Sequence, residues 1–234
     1  GSNKMNMQNL KRGGELRLSI LAPKGHEIVV VDSGQIEARV NGWLWGQTDL
    51  LEAFRAADNG TGRDAYCLMG DVIYGRHITK ADATERFVGK VAVLGLGFQM
   101  GPPKLQMTLA KGALGGPPVF FSLAQCQEIV NKYRRKNHRI EWGWKVCTRI
   151  IEDMAVGRTG SHKCLSWAKG VIYLPNGMAL KYPDLKKALN DKGFEEWTYQ
   201  SGLIRKKIYG GLLCENIVQA LARIIVGEQM LKIS

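Results

Sequence analysis

The chain has 234 residues, with 33 lysines and arginines against 21 acids, a net charge of +12, 45% hydrophobic residues and 23% charged ones. A chain of this length buries about 70% of its unfolded surface without a disulfide or metal staple. The composition excludes disorder and suits a globular fold of one or two domains. The basic surplus points to a polyanion, whether nucleic acid, nucleotide phosphates or an anionic membrane, without choosing among them. No apolar run approaches the roughly 18 residues of a membrane span; the richest stretches, Val91–Gly101 and Ile217–Val226, are broken by Gly, Gln or Arg. No secretory signal opens the chain, and Gly1-Ser2 reads as a scar left by a protease. The five cysteines are odd in number and form no C-x-x-C pair, which argues for a reducing compartment, the cytoplasm, over a disulfide framework. His162, Cys164 and Cys147 are the one imaginable zinc set, and they lack the paired close ligands of such sites.

Residues 3–14 are polar and end in Gly13-Gly14, which predicts an extended segment, and Glu15–Leu21 is a short mixed stretch closed by Pro23. Glu27–Val31 is a β-branched run that predicts a buried strand ending at Asp32. After the Ser33-Gly34 turn, helices are expected over Gln35–Trp45, Leu50–Ala57 and Asp64–Ile73. Thr79 is read as the N-cap of a long helix reaching Phe98. A short helix, Lys104–Lys111, follows between proline-marked loops; Ser122 caps Leu123–Lys136, and Glu141–Ala155 continues helical. The period then changes: Gly170–Leu174, Pro175-Asn176-Gly177 and Met178–Tyr182 predict a β-hairpin. Trp197–Tyr199 and Leu203–Tyr209 add strands, and Cys214–Ile233 is an apolar helix.

Two constellations carry chemistry. Asp32 stands where the predicted strand meets solvent, the placement that lets a rigid carboxylate hold a divalent ion against phosphate oxygens. Spacing alone favours the plainer reading, a cap for the next helix, whose first turn holds Glu37. Arg86, Lys90, Leu94 and Phe98 recur every fourth residue, a drift of about 40° per step that keeps them on one broad face. Two cations followed by two apolar groups could grip a triphosphate and pack a base and sugar. Periodicity alone favours the plainer reading, a solvated basic turn followed by a core-packing one. Gly95-Leu96-Gly97 is no dinucleotide fingerprint, since no strand leads into it.

Four stretches in order resemble family A DNA polymerases, the DNA polymerase I group, and especially their phage members. Asn6-Met7-Gln8-Asn9-Leu10 is similar to the family's N-L-Q-N-I element between thumb and palm. Val31-Asp32-Ser33-Gly34-Gln35-Ile36-Glu37-Ala38-Arg39 resembles motif A, D-Y-S-Q-I-E-x-R. Arg86-x3-Lys90-x3-Leu94-x3-Phe98, with Gly101 beyond, resembles motif B, R-x3-K-x3-F-x3-Y-G. Tyr209-Gly210-Gly211 through Glu215-Asn216-Ile217-Val218-Gln219-Ala220 resembles the helix that returns the chain from fingers to palm.

The resemblance implies an α+β, predominantly helical fold: fingers plus part of a polymerase palm, with a small β-hairpin region. Residues 1–40 would be the partial palm with motif A, 41–205 the fingers with the motif B helix, and 206–234 the helix returning to the palm. It implies template-directed DNA synthesis by two-metal nucleotidyl transfer with Mg2+ or Mn2+. Asp32 and the Ser33 carbonyl would hold a metal, and Glu37 would lie beneath the sugar and exclude a 2′-hydroxyl. Arg86 and Lys90 would contact the triphosphate, Lys90 also protonating the leaving pyrophosphate; Leu94 would pack by base and sugar, and Phe98 near the template base. Gln8, Asn9, Arg39 and Gln219 would contact primer–template DNA. The implied partners are that DNA and deoxynucleoside triphosphates, with no membrane.

Ser33, Gly34, Leu94 and Phe98 depart from the family's usual Tyr, Ser, aromatic and Tyr; the Leu94 position bears on sugar discrimination. Motif C, the His-Asp-Glu turn with the second metal-binding Asp, has no counterpart in these residues, nor do the exonuclease domain and most of the thumb. The chain is therefore expected to be an incomplete part, inactive alone: a designed piece, or half of a split polymerase needing a second chain with motif C. The split arrangement expects an exposed apolar patch along Ile217, Leu221, Ile225 and Leu231. A lone strand at Glu27–Val31 is too little sheet to stand by itself, so the first segments are expected to be mobile or rearranged from the family's arrangement. The reading from another class is a non-catalytic nucleic-acid-binding module that uses the +12 charge and the Trp142, Trp144, Arg149 region.

Overall fold

The computed structural model describes residues 14–29, 32–112 and 116–233. They fall into two units, 1–34 and 35–234. In the first, α1 (Glu15–Leu18) is a single turn closed by Ser19, whose hydroxyl donates to Leu16 O at 2.8 Å. The strand expected at Glu27–Val31 is not formed over Glu27–Val29, where Ile28 is 50% and Val29 68% exposed. A β-branched run needs a neighbouring strand to satisfy its backbone and cover its side chains, and no such strand faces it among the described residues of this unit. Val30 and Val31 lie outside the described residues, as does the Asn6–Leu10 element with Gln8 and Asn9.

The second unit is predominantly helical, with two small antiparallel sheets. Helix α2 (Ile36–Trp45) begins after Gln35, a left-handed residue at φ 58°, and stops at left-handed Gly46. Helices α3 (Thr48–Asp58), α4 (Ala65–Tyr74) and α5 (Ala83–Gly95) follow. Asp64 caps α4 by accepting from Tyr66 N at 3.0 Å. The α5 start falls three residues later than expected, with Asp82 in place of Thr79 at the N-cap position. Asp82 Oδ2 accepts from Thr79 N (2.8 Å) and Thr79 Oγ1 (2.9 Å), and Thr79 Oγ1 accepts from Ala81 N (3.2 Å). These local bonds give the backbone a turn in place of a helix. The Thr79 amide, and then Arg76, draw the Asp82 carboxyl down to about 2. The helix also ends early: Leu96–Phe98 tightens into a 3-10 turn closed by left-handed Gln99.

Helix α6 (Pro102–Ala110) opens on proline at its first turn, where a missing amide costs nothing. Helix α7 (Leu123–Lys136) carries a complete capping box between Ser122 and Gln125. Helix α8 (His138–Val156) leads into β1 (Gly160–His162), β2 (Leu165–Ala168), β3 (Val171–Tyr173) and β4 (Ala179–Lys181), paired in that order. The expected hairpin is β3–β4, in register Ile172↔Leu180, with Gly177 at φ 81° in its turn. A second sheet joins β5 (Lys186–Leu189), β6 (Glu195–Ser201) and β7 (Ile204–Lys207). The chain then enters α9 (Gly210–Ile233).

The side chains bury into two cores. One gathers Phe54, Met69, Phe87, Val91, Leu105, Ile129 and Tyr133 from α3 to α7. The other gathers Leu44, Trp45, Ile151, Ile172, Leu213 and Ile217 from α2, α8, the four-stranded sheet and α9. The exposed patch expected on α9 is therefore corrected: Ile217 and Leu221 are 0% and 4% exposed, Ile225 is half-buried, and only Leu231 is well exposed, at 80%. By length and composition α9 could cross a bilayer, yet Leu213, Cys214, Ile217 and Val218 are committed to this core.

Close approach sets the start of α9. A Cβ on Gly210 would lie 2.2 Å from Trp144 O, and one on Gly211 2.3 Å from Gln99 Cβ. Gly227, in the same helix, meets nothing within 4 Å. Urea unfolding should show Gly210→Ala losing about 3 kcal/mol of stability. Gly227→Ala should gain roughly 0.5–1 kcal/mol.

Candidate active site

Asp32 and Ser33 lie in irregular chain of the first unit, Asp32 exposed and Ser33 half-buried. Asp32 does not cap α2: the N-cap is Gln35, and no side chain bonds there. Within the second unit, α2 presents Glu37 and Arg39. Glu37 is half-buried, and its carboxyl is pushed up first by burial and then by the negative charge of Glu215 on α9. Arg39 grips Asp58 with both arms of its fork, at 2.7 and 2.8 Å, and lies over the Phe54 ring at 4.6 Å. The guanidinium named for DNA contact is thus held in a bidentate pair, and that pair lowers the Asp58 carboxyl.

Helix α5 is buried at Phe87, Val88, Gly89, Val91, Ala92 and Val93, whereas Arg86, Lys90 and Leu94 are half-buried. Between Phe87 and Val93 the ladder is the half-buried stripe of a helix whose other faces are buried, while Ala83 and Thr84 in its first turn are exposed. Leu94 packs against the α3–α7 core, and Phe98 against the α2–α8–α9 core. The 3-10 winding advances about 120° per residue in place of about 100°, which turns Phe98 off the stripe. Arg86 donates Nε to Asp64 Oδ2 at 2.6 Å, its Nη2 lies 2.5 Å from the same oxygen, and the guanidinium stands over Tyr66 at 5.3 Å. Tyr66 is in turn hydrogen-bonded by Gln35, and burial pushes its hydroxyl up.

These groups border a cavity of about 560 Å³ lined by Gln35, Arg63, Asp64, His77, Lys80 and Arg86, among others. Gln35, the N-cap of α2, and Arg86, in the first turn of α5, thus open on one space. Arg63 is held by Asp71 at 2.6 and 3.0 Å. On α9, Gln219 is exposed and donates to Glu215 Oε1 at 3.4 Å, while Asn216 donates to the Tyr182 hydroxyl at 3.0 Å. Sequence reasoning missed Asp64, Gln35 and Glu215. Asp64 is 22 residues from Arg86 and Glu215 far from Glu37 in the chain, so local spacing carries no signal of either pairing.

The tryptophans divide. Trp144 is 3% exposed and donates Nε1 to Gly97 O at 2.9 Å, so its ring is core and no stacking platform. Trp142 is 38% exposed beneath Arg139, 4.9 Å from its ring centre, and Arg149 is exposed. His162 Nε2 donates to Leu44 O (2.9 Å) and its ring stacks on Trp45, and Cys147 is buried, which occupies two of the three groups imagined as zinc ligands.

Chains to which this one is similar are DNA polymerases. No protein-family profile matches it. Over 220 residues it is 30% identical to the DNA polymerase of Bacillus phage SP02, covering 89% of this chain and 33% of that one. Over 99 residues it is 31% identical to the DNA polymerase I of Chloroflexus aurantiacus, covering 41% of this chain and 10% of that one. The resemblance to the DNA polymerase I group that the motifs carry is borne out, and the chain spans about a third of the length of its phage relative.

The Glu37 carboxyl titrates above its usual 4.5 in the folded chain, so the folded state holds its proton to higher pH than the unfolded state. Stability is then lost as pH rises from the unfolded value through the folded one. Thermal melting should find Glu37→Gln more stable than the unaltered chain at about pH 7 and close to parity at about pH 4. Glu215→Gln should shift melting in the same direction by removing the facing charge.

Proposed function

We propose that this chain supplies a palm edge and the fingers of a family A DNA polymerase, within residues 1–40, 41–205 and 206–234 as divided above, acting on primer–template DNA and deoxynucleoside triphosphates in the cytoplasm. The observation that carries the reading is the half-buried stripe Arg86, Lys90 and Leu94 on a helix whose remaining faces are buried from Phe87 to Val93, beginning at a cavity lined by Arg63, His77, Lys80 and Arg86 together with Asp58 and Asp64. A solvated basic turn would not need a cavity beside it.

In this reading Arg86 binds the triphosphate through its fork and Lys90 as a mobile charge. Lys90 then gives its proton to the departing pyrophosphate. Leu94 packs beside base and sugar, and Phe98, turned toward the second core, sits near the template base. Glu37 closes the space beneath the sugar against a 2′-hydroxyl; its half-burial beside Glu215 suits a group that works by occupying volume. Arg39, Gln219, Gln8 and Asn9 face primer and template. Asp32 and the Ser33 carbonyl are hard oxygen donors, the kind Mg2+ or Mn2+ takes, and would hold the ion. That ion supplies a lowered pKa at the primer 3′-hydroxyl and neutralises phosphate charge.

Two measurements test this. Calorimetry should find that the chain binds a magnesium deoxynucleoside triphosphate, and that Arg86→Gln and Lys90→Gln each weaken binding about tenfold or more. Binding of DNA without triphosphate would instead favour a nucleic-acid-binding module, the reading that the +12 charge and the Arg139-covered Trp142 support. Primer extension by these 234 residues alone should be undetectable, because they offer Asp32 and no His-Asp-Glu turn. Adding a polypeptide that carries the turn should restore extension, and Asp32→Ala should abolish it again.

A further inference from the structure

We infer that Asp64 is a positioning residue for Arg86, holding its guanidinium ready for the phosphates of an incoming nucleotide; this rests on the function proposed above. The two oxygens of Asp64 have separate duties. Oδ1 accepts the Tyr66 amide at 3.0 Å and caps α4. Oδ2 takes both Nε and Nη2 of Arg86, at 2.6 and 2.5 Å. The carboxylate is only 11% exposed, while the arginine is 34% exposed and lines the 560 Å³ cavity. Asp64 cannot swing away to release Arg86 without uncapping α4, so the pair stays in place when the cavity fills.

What the pair leaves is specific. A single carboxylate oxygen engages one edge of the guanidinium, and Nη1 bonds nothing among the described residues. The ring of Tyr66, itself tied to Gln35, backs the plane of the guanidinium. Arg86 is thus fixed by edge and by face, with one corner of its fork left to donate. A flexible arginine loses side-chain freedom when it meets a phosphate; one already oriented loses less, and the binding is correspondingly tighter. Asp64 reduces the net charge of the cavity, and it acts through geometry. Asp58 also lines the cavity but is paired with Arg39, as Arg63 is with Asp71, which leaves Lys80 as the cation the lining adds for a polyphosphate.

The capping duty can be separated from the positioning duty, because Asn and Ser are also good N-caps. Calorimetric titration of the 234-residue chain with a magnesium deoxynucleoside triphosphate should find Asp64→Asn about tenfold weaker, with an unchanged melting temperature. In an Arg86→Gln background, Asp64→Asn should add less than about twofold, since the two act as a unit. Asp64→Ser should behave as Asp64→Asn does. Binding by Asp64→Asn or Asp64→Ser at the original strength or tighter overturns the inference, as does full additivity with Arg86→Gln. If the unaltered chain binds through Arg86 while both Asp64 variants are silent, the inference alone fails. If the unaltered chain binds no triphosphate, the proposed function fails and this inference with it.

Discussion

The carbonyl of Gly97 is the point on which the second unit turns. It lies in the 3-10 turn that follows α5, and it accepts two hydrogen bonds inside the core. Asn41 Nδ2 on α2 donates at 3.1 Å, and Trp144 Nε1 on α8 donates at 2.9 Å. Asn41 is itself one of the few buried polar side chains, and its Oδ1 accepts from Cys214 Sγ on α9 at 3.5 Å. A buried carbonyl left without a partner costs about 1–3 kcal/mol, so α2, α8 and α9 are tied to the end of α5 by a need that water cannot meet. The helix bearing Glu37 and the helix bearing Arg86 and Lys90 are thereby held at a set distance.

Shape supports the same junction. Trp45 on α2 lies against α8 where a Cβ on Gly143 would fall 2.3 Å from its indole, and its Nε1 donates to Cys214 on α9 at 3.2 Å. Midway along α5, a Cβ on Gly89 would lie 2.1 Å from Tyr66 O. That contact draws α4 against α5 and brings Asp64 within reach of Arg86. The Cys147 thiol at this junction is pushed well up by desolvation and by its neighbour Cys214. The packing therefore has a functional consequence. From Phe87 to Val93 it buries the faces of α5 that flank the half-buried stripe of Arg86, Lys90 and Leu94.

Helices with strong local signals were legible in the sequence: α2 by its apolar spacing, α7 by the Ser122–Gln125 capping box, and the β3–β4 hairpin by Asn176-Gly177. Elements whose reason is a partner were not. Strand β5 reads Lys-Lys-Ala-Leu, poor strand chemistry, and exists because it pairs with β6 through Lys187↔Trp197 and Ala188↔Glu196. Strand β1, Gly-Ser-His, exists because Gly160 gives room to Trp167 across the ladder. The converse error at Ile28 and Val29 has the same cause: strand propensity without a neighbour makes no strand.

The sequence by itself determined the order of the motifs, the i, i+4 spacing of Arg86, Lys90 and Leu94, and the basic charge, because each is a property of neighbours along the chain. Tertiary structure decided which of those residues are open and what holds them. Ile217 and Leu221 became core and Trp144 a hydrogen-bond donor. Phe98 turned away from the ladder, and Arg86 found Asp64. These outcomes depend on contacts between residues far apart in the chain, and burial and hydrogen-bond satisfaction are settled only when the helices meet.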